Sequence, residues 1–168
     1  MVLGAGNNTM GLVLTNGERM LLSLWVGALW SIGYLAVPTL FASLDDRALA
    51  GMVAGKMFTG VSFIGVGCGA ALLGSFWMQS RKPLRERRVQ LLIIMLVIVV
   101  LGEFVLQPQM AALKAEGLIE GSGVAARFGV LHGIASLLYF ANSVIGVVLL
   151  VMMGLPRRDD GREGIRAV

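Results

Sequence analysis

Four apolar runs, each long enough to cross a lipid bilayer as a helix, dominate this sequence. They cover roughly residues 20–43, 51–78, 89–106 and 125–153, where about 20 apolar residues suffice for one crossing. In hydrocarbon every backbone N–H and C=O must be satisfied inside the protein, which leaves only helices and closed barrels. The runs are too long for barrel strands. The fold class is therefore all-α, an integral membrane bundle of four transmembrane helices. Composition agrees: 57% of residues are hydrophobic and 14% charged, against about 25% charged in soluble domains.

Charge sets the expected orientation. Arg81, Lys82, Arg85, Arg87 and Arg88 lie between the second and third runs, and Arg157, Arg158, Arg162 and Arg166 follow the fourth. The other two loops carry only Arg47 and Lys114. Lys and Arg concentrate on the cytoplasmic side, so both termini are expected in the cytoplasm (N-in/C-in), at a bacterial inner membrane. Three parts follow: an N-terminal tail (1–19), a four-span membrane domain (20–154) and a basic cytoplasmic tail (155–168). Trp25 and Trp77 are expected at the cytoplasmic interface, where amphipathic rings are favoured. The expected partner is the lipid bilayer itself, with a homo-oligomer or a larger membrane complex beyond it. Nucleic acid is not expected, because the net charge of +4 is confined to short loops without base-reading companions.

Glycine and proline shape the spans. Pro38 and Pro108 should bend or end the first and third, since proline lacks an N–H and clashes with the preceding turn. Residues 109–120 read as a helical extension outside the membrane, closed by a turn at Gly121–Gly123. Gly51/Gly55 and Gly65/Gly69 are small-xxx-small pairs that let backbones approach. Gly60, Gly67 and Gly74 lie on nearly the opposite face, so the second span is expected to pack on both sides. Gly129 and Gly133 are further packing candidates on the fourth.

Ionisable groups inside a span are functional candidates by default. Glu103, His132, Lys56 and Arg127 qualify, with Gln107 and Asn142 as polar company. His132, Ser136, Tyr139 and Ser143 share one arc of the fourth span, and Glu103, Gln107 and Met110 share one of the third. The polar arc of the fourth span is expected to face the bundle, with Val130, Ile134, Leu137, Leu138, Ala141, Val144, Ile145 and Val148 toward lipid. Glu103 needs a proton or a partner, and Lys56, Arg127 and His132 are the candidates. The plain alternative for each group is a helix-packing hydrogen bond or, for Lys56 and Arg127, snorkelling to the interface. His132, Met110 and Met57 could together offer soft ligands to a copper(I) ion.

Other chemistries are absent from the pattern. Cys68 stands alone, so no disulfide can form within the chain. Residues 50–57 mimic a phosphate loop, but Ala50 replaces its first glycine and Met57 its Ser or Thr. One histidine cannot supply the paired histidine ligands usual for b-type haem, which leaves only His/Met ligation open. No cofactor can be assigned, and no catalytic set is evident.

Three short motifs, in order, resemble the domain of unknown function 4149 family of small multi-pass membrane proteins, which includes transmembrane-protein-205-like proteins. They are the stretch 24–58 with Gly27, Pro38, Phe41, Asp46, Arg47, Ala50, Gly51 and Phe58, the stretch 107–117 (QPQMAALKAEG), and His132-Gly133-x-x-Ser136. One departure is Tyr139, which stands where an Asn is common in the family, with Asn142 later. The resemblance implies the four-span fold. Animal relatives are associated with platinum-drug resistance, which hints at metal or solute handling.

Three functional expectations follow. The first is an outer-half polar pocket around Glu103 and His132 that binds or helps to transport a small cation, metal or polar lipid group. The second is an accessory or structural subunit of a larger membrane complex. The third is a membrane oxidoreductase using His132. The lack of a second catalytic partner leans away from an enzyme.

Overall fold

A computed structural model describes residues 5–79, 83–119 and 121–154. Six α-helices run in order: α1 (Ala5–Trp30), α2 (Val37–Ser43), α3 (Arg47–Gln79), α4 (Arg87–Leu101), α5 (Gln107–Glu116) and α6 (Gly123–Gly154). There are no strands among the described residues. Among the described residues, four continuous helical segments are long and apolar enough to cross a membrane: Asn16–Ser43, Arg47–Gln79, Arg87–Glu116 and Gly123–Gly154. They are spans one to four. Each packs on its chain neighbours, and span four returns to span one. The tail expected at 1–19 is helical from Ala5 and runs unbroken into span one. The basic tail 155–168, and Arg81 and Lys82, lie outside the described residues.

Neither proline ends its span. Two π-helical turns, Ser31–Ala36 and Gly102–Leu106, precede Pro38 and Pro108. There the Val37 N–H bonds to the Ile32 carbonyl and the Gln107 N–H to the Gly102 carbonyl. The wider turn makes room for a pyrrolidine ring that would strike the carbonyl four residues back in a regular helix. The helix of span one thus continues to Ser43 and that of span three to Glu116, so the expected helical extension joins span three without a break. Gly117, at φ +95°, stops it, a conformation that glycine adopts without a Cβ penalty. Side chains start the returning helices: Asp46 accepts from the Ala48 and Leu49 N–H groups, and Ser122 from that of Ala125, satisfying donors that a helix start leaves free.

The end of the bundle where Arg19 of span one meets the last turn of span four is tightly tied. Arg19 Nε donates to the Met153 carbonyl at 3.1 Å and Arg88 Nη2 to the Met152 carbonyl at 2.8 Å. These carbonyls close α6 and have no partner within it. Guanidinium groups also suit the negative end of the helix dipole. Nearby, the buried Glu18 carboxylate accepts from Ser75 and Gln79 of span two. Polar contacts therefore join all four spans at this end.

The core lies between that end and the middle, around Leu22, Trp25, Leu29, Leu72, Leu92, Met95 and Leu149. Trp25 is fully buried rather than interfacial. Its indole lies over the span-two backbone, where a Cβ at Gly65 would sit 2.5 Å from Nε1 and one at Gly69 3.1 Å from Cζ3. A ring this large can reach the core because the glycines vacate the space. Trp77 is 57% exposed. Span two packs on one glycine face only: a Cβ at Gly60, Gly67 or Gly74 would meet nothing within 4 Å. The expectation of two packed faces is corrected accordingly.

Candidate functional site

Toward the far end the bundle loosens. Ala50, Ala54 and Met110 are the buried side chains there among the described residues. Span one packs on span two through α2 and α3, while span three packs on span four through α5 and α6. The result is two hairpins that join in the middle, with the π turns near the branch point.

Tyr139 forms the floor between them. Its hydroxyl donates to the Leu29 carbonyl at 2.6 Å, and its ring lies edge-on to Phe58 with centroids 5.1 Å apart. It also fills the space beside Gly33, where a Cβ would be 2.3 Å from Cε1. The Tyr34 hydroxyl donates to Ser143 Oγ at 3.1 Å, and Ser143 donates on to the Tyr139 carbonyl at 2.7 Å.

A shallow groove runs between the hairpins, lined by Gly51, Gly55, Lys56 and Thr59 of span two and by Gln107 and Lys114 of span three, with Ala48 and Met52 at its edge. Gln107 Nε2 would lie 3.5 Å from a Cβ at Gly55, and Lys114 Nζ stands 3.5 Å from the Gly51 carbonyl. Small residues on span two let these polar side chains lie against its backbone. Two ammonium groups, an amide and a hydroxyl therefore share one concave surface, and none of its lining residues is acidic.

The other candidates scatter. Glu103 is half-buried on its π turn. Arg127 is exposed. His132 is exposed too, its ring stacked on Phe128 with centroids 5.8 Å apart, and Ser136 donates to the His132 carbonyl. The polar arc of span four thus divides: Tyr139, Asn142 and Ser143 face the bundle, while His132 and Ser136 do not. This corrects the expectation of one inward stripe, because the loosening at the far end removes the neighbour that the upper part would have faced. The apolar face divides as well, with Val130, Ile134, Leu137, Val144 and Val148 exposed and Leu138, Ala141 and Ile145 half-buried. Met110 is buried, Met57 half-buried and His132 exposed, and no group of three or more His, Cys, Asp or Glu gathers among the described residues. Gly129 and Gly133 face open space.

Lys114 and Thr59 were not singled out by the sequence reading. The signal was present: Lys114 stands seven residues after Gln107, and Thr59 three after Lys56, on shared helix faces. The Lys114 ammonium also stands 5.5 Å from the centroid of the Phe128 ring of span four.

No curated protein and no solved structure matches the chain. The profile of the domain of unknown function DUF4149 matches residues 20–118. The match takes in the first three spans, with Pro38, Lys56, Glu103, Gln107 and Lys114, and leaves His132 and Ser136 outside it. The chain is therefore a multi-pass membrane protein that belongs to the DUF4149 family.

Proposed function

We propose that this protein binds the phosphate-bearing headgroup of an anionic lipid in the groove between its two hairpins. The observation that carries this reading is the pairing of Lys56 and Lys114 with Gln107 and Thr59 in a groove whose lining includes no acidic residue. Ammonium groups and neutral donors suit a phosphate. They disfavour a free cation or metal, so among cation, metal and polar lipid the lipid is preferred. Depth supports it: Lys56 lies nine residues into a helix that begins at Arg47, or about 13 Å at 1.5 Å per residue, within reach of the interface for a lysine that snorkels.

The protein is read as lying in a bacterial inner membrane with both termini in the cytoplasm and the groove in the outer half. The basic residues between spans two and three and after span four support that orientation. Lipid binding without an evident catalytic set makes it a binding or transport-related protein rather than an enzyme.

Calorimetric titration of delipidated protein in uncharged detergent tests the reading. Short-chain phosphatidylglycerol should bind saturably, and the Lys56→Gln/Lys114→Gln double variant should bind at least about tenfold more weakly, the loss of roughly 1.4 kcal/mol. Equal binding of phosphatidylcholine and phosphatidylglycerol would sink it.

A second reading, an accessory subunit of a larger complex, is favoured by the open glycine face at Gly60, Gly67 and Gly74. It predicts that Gly67→Leu abolishes co-purification of a partner at native expression while leaving lipid binding intact.

A further inference from the structure

Two recesses open along the seam between spans two and three. One is the polar groove with Lys56, Gln107 and Lys114. The other is a wholly apolar crevice of about 250 Å³, lined by Leu73 of span two and by Ile93, Leu96, Val97, Val100 and Leu101 of span three. Val97, Val100 and Leu101 are 50%, 43% and 44% exposed, so the crevice opens outward to the bilayer and not into the core.

Helix geometry places the crevice beneath the groove. Span two is unbroken α-helix from Arg47 to Gln79. Gly55 and Leu73 are 18 residues apart, about five full turns at 3.6 residues per turn, so they lie on one line along the helix. Ser62 and Val66, both half-buried, continue that line between them. Span three keeps to the seam throughout: a Cβ at Gly55 would lie 3.5 Å from Gln107 Nε2, and one at Gly69 2.5 Å from Leu96 Cδ2. Val97 precedes Gln107 by ten residues, which puts it about 15 Å deeper at 1.5 Å per residue. That depth is about half of the roughly 30 Å hydrocarbon core.

Depth and chemistry together name the occupant. A phospholipid whose phosphate lies among Lys56, Gln107 and Lys114 ends its chains near the level of Val97. Lipid tails are as apolar as leucine, so no hydrophobic effect draws a chain out of the bulk bilayer. Van der Waals contact in a recess, added to an anchored headgroup, can hold one. We propose that the crevice receives an acyl chain of the lipid whose headgroup occupies the groove. The inference rests on the headgroup reading and deepens it: the ligand is a whole membrane phospholipid, not a soluble phosphate ester.

Photo-crosslinking in phosphatidylcholine nanodiscs tests this, with trace phosphatidylglycerol or phosphatidylcholine carrying a diazirine near the end of one chain. Adducts mapped to residues 93–101 should be at least about fivefold more frequent with phosphatidylglycerol, a preference of roughly 1 kcal/mol. The excess should vanish in Lys56→Gln/Lys114→Gln, and in Val97→Phe, which fills the crevice from an exposed position. Short-chain phosphatidylglycerol, whose chains stop above Val97, should bind Val97→Phe and the wild-type protein alike in calorimetry. Equal adducts from the two lipids, alongside saturable binding of short-chain phosphatidylglycerol, would overturn the chain placement and leave the headgroup reading standing. Loss of that binding in the wild-type protein would overturn both. An excess that survives Val97→Phe would also overturn the placement. So would the absence of adducts at 93–101 from either lipid, the result expected if a second copy of the chain covers the crevice.

Discussion

The Tyr139 ring occupies the space that a side chain at Gly33 would need, and its hydroxyl holds the Leu29 carbonyl one turn below. This contact joins the two hairpins where they begin to separate. Gly33→Ala should expel the ring and break the bond together. Overpacking of this kind costs about 1–3 kcal/mol. Tyr139→Phe keeps the ring and removes only the hydroxyl, which should cost about 0.6 kcal/mol, the average for hydrogen bonds within membranes. Unfolding free energies in mixed micelles should rank Gly33→Ala as the more damaging.

The two glycine faces of span two make opposite predictions. Gly69→Ala drives a methyl toward Leu96 Cδ2, 2.5 Å away, and toward Trp25. It should destabilise by about 1–3 kcal/mol. Gly67→Ala meets open space and gains helix propensity, worth up to about 1 kcal/mol. A thermal midpoint lowered by the first and unchanged or raised by the second is expected. Equal losses would mean that the Gly67 face is packed as well.

The end of the bundle around Arg19, Arg88 and Met153 is held by side chains rather than by helix packing alone. Arg88→Gln removes the charge that closes the last turn of α6 at Met152. Hydrogen bonds from charged groups contribute about 1.5–3 kcal/mol, so the C-terminal turn of α6 should fray. Hydrogen exchange at residues 150–154 should quicken, with little change around Gly123. Unaltered exchange would assign the closure of α6 elsewhere.

The spans were legible in the sequence because about 20 consecutive apolar residues leave one architecture open in hydrocarbon. Their interior arrangement was only partly so. Gly65 and Gly69 stood out as small residues, but nothing local marks Trp25 as the ring that fills their space. Interfacial and buried tryptophans look alike in sequence. The wheel of span four put His132 and Tyr139 on one face, yet only Tyr139 meets the bundle, because the spacing of spans one and four changes with depth. The groove escaped notice for a related reason. Lys56 and Lys114 come from different spans, and their meeting depends on the continuation of span three past Pro108, which the π turn at Gly102–Leu106 permits.

Side-specific labelling checks the predicted opening of the far half. In a Cys68→Ala background, Thr59→Cys and Gln107→Cys should react with a membrane-impermeant thiol reagent added from the outer face. Leu72→Cys, in the sealed core, should react from neither side. Labelling of Gln107→Cys from the cytoplasmic side alone would invert the proposed orientation.

The most direct measurement is the lipid that stays with the protein. Native mass spectrometry after gentle extraction into uncharged detergent should find wild-type protein carrying a phosphate-headed anionic lipid, and the folded Lys56→Gln/Lys114→Gln protein largely without it. Equal retention by both proteins, or gently extracted wild-type protein that carries no such lipid, would contradict the account.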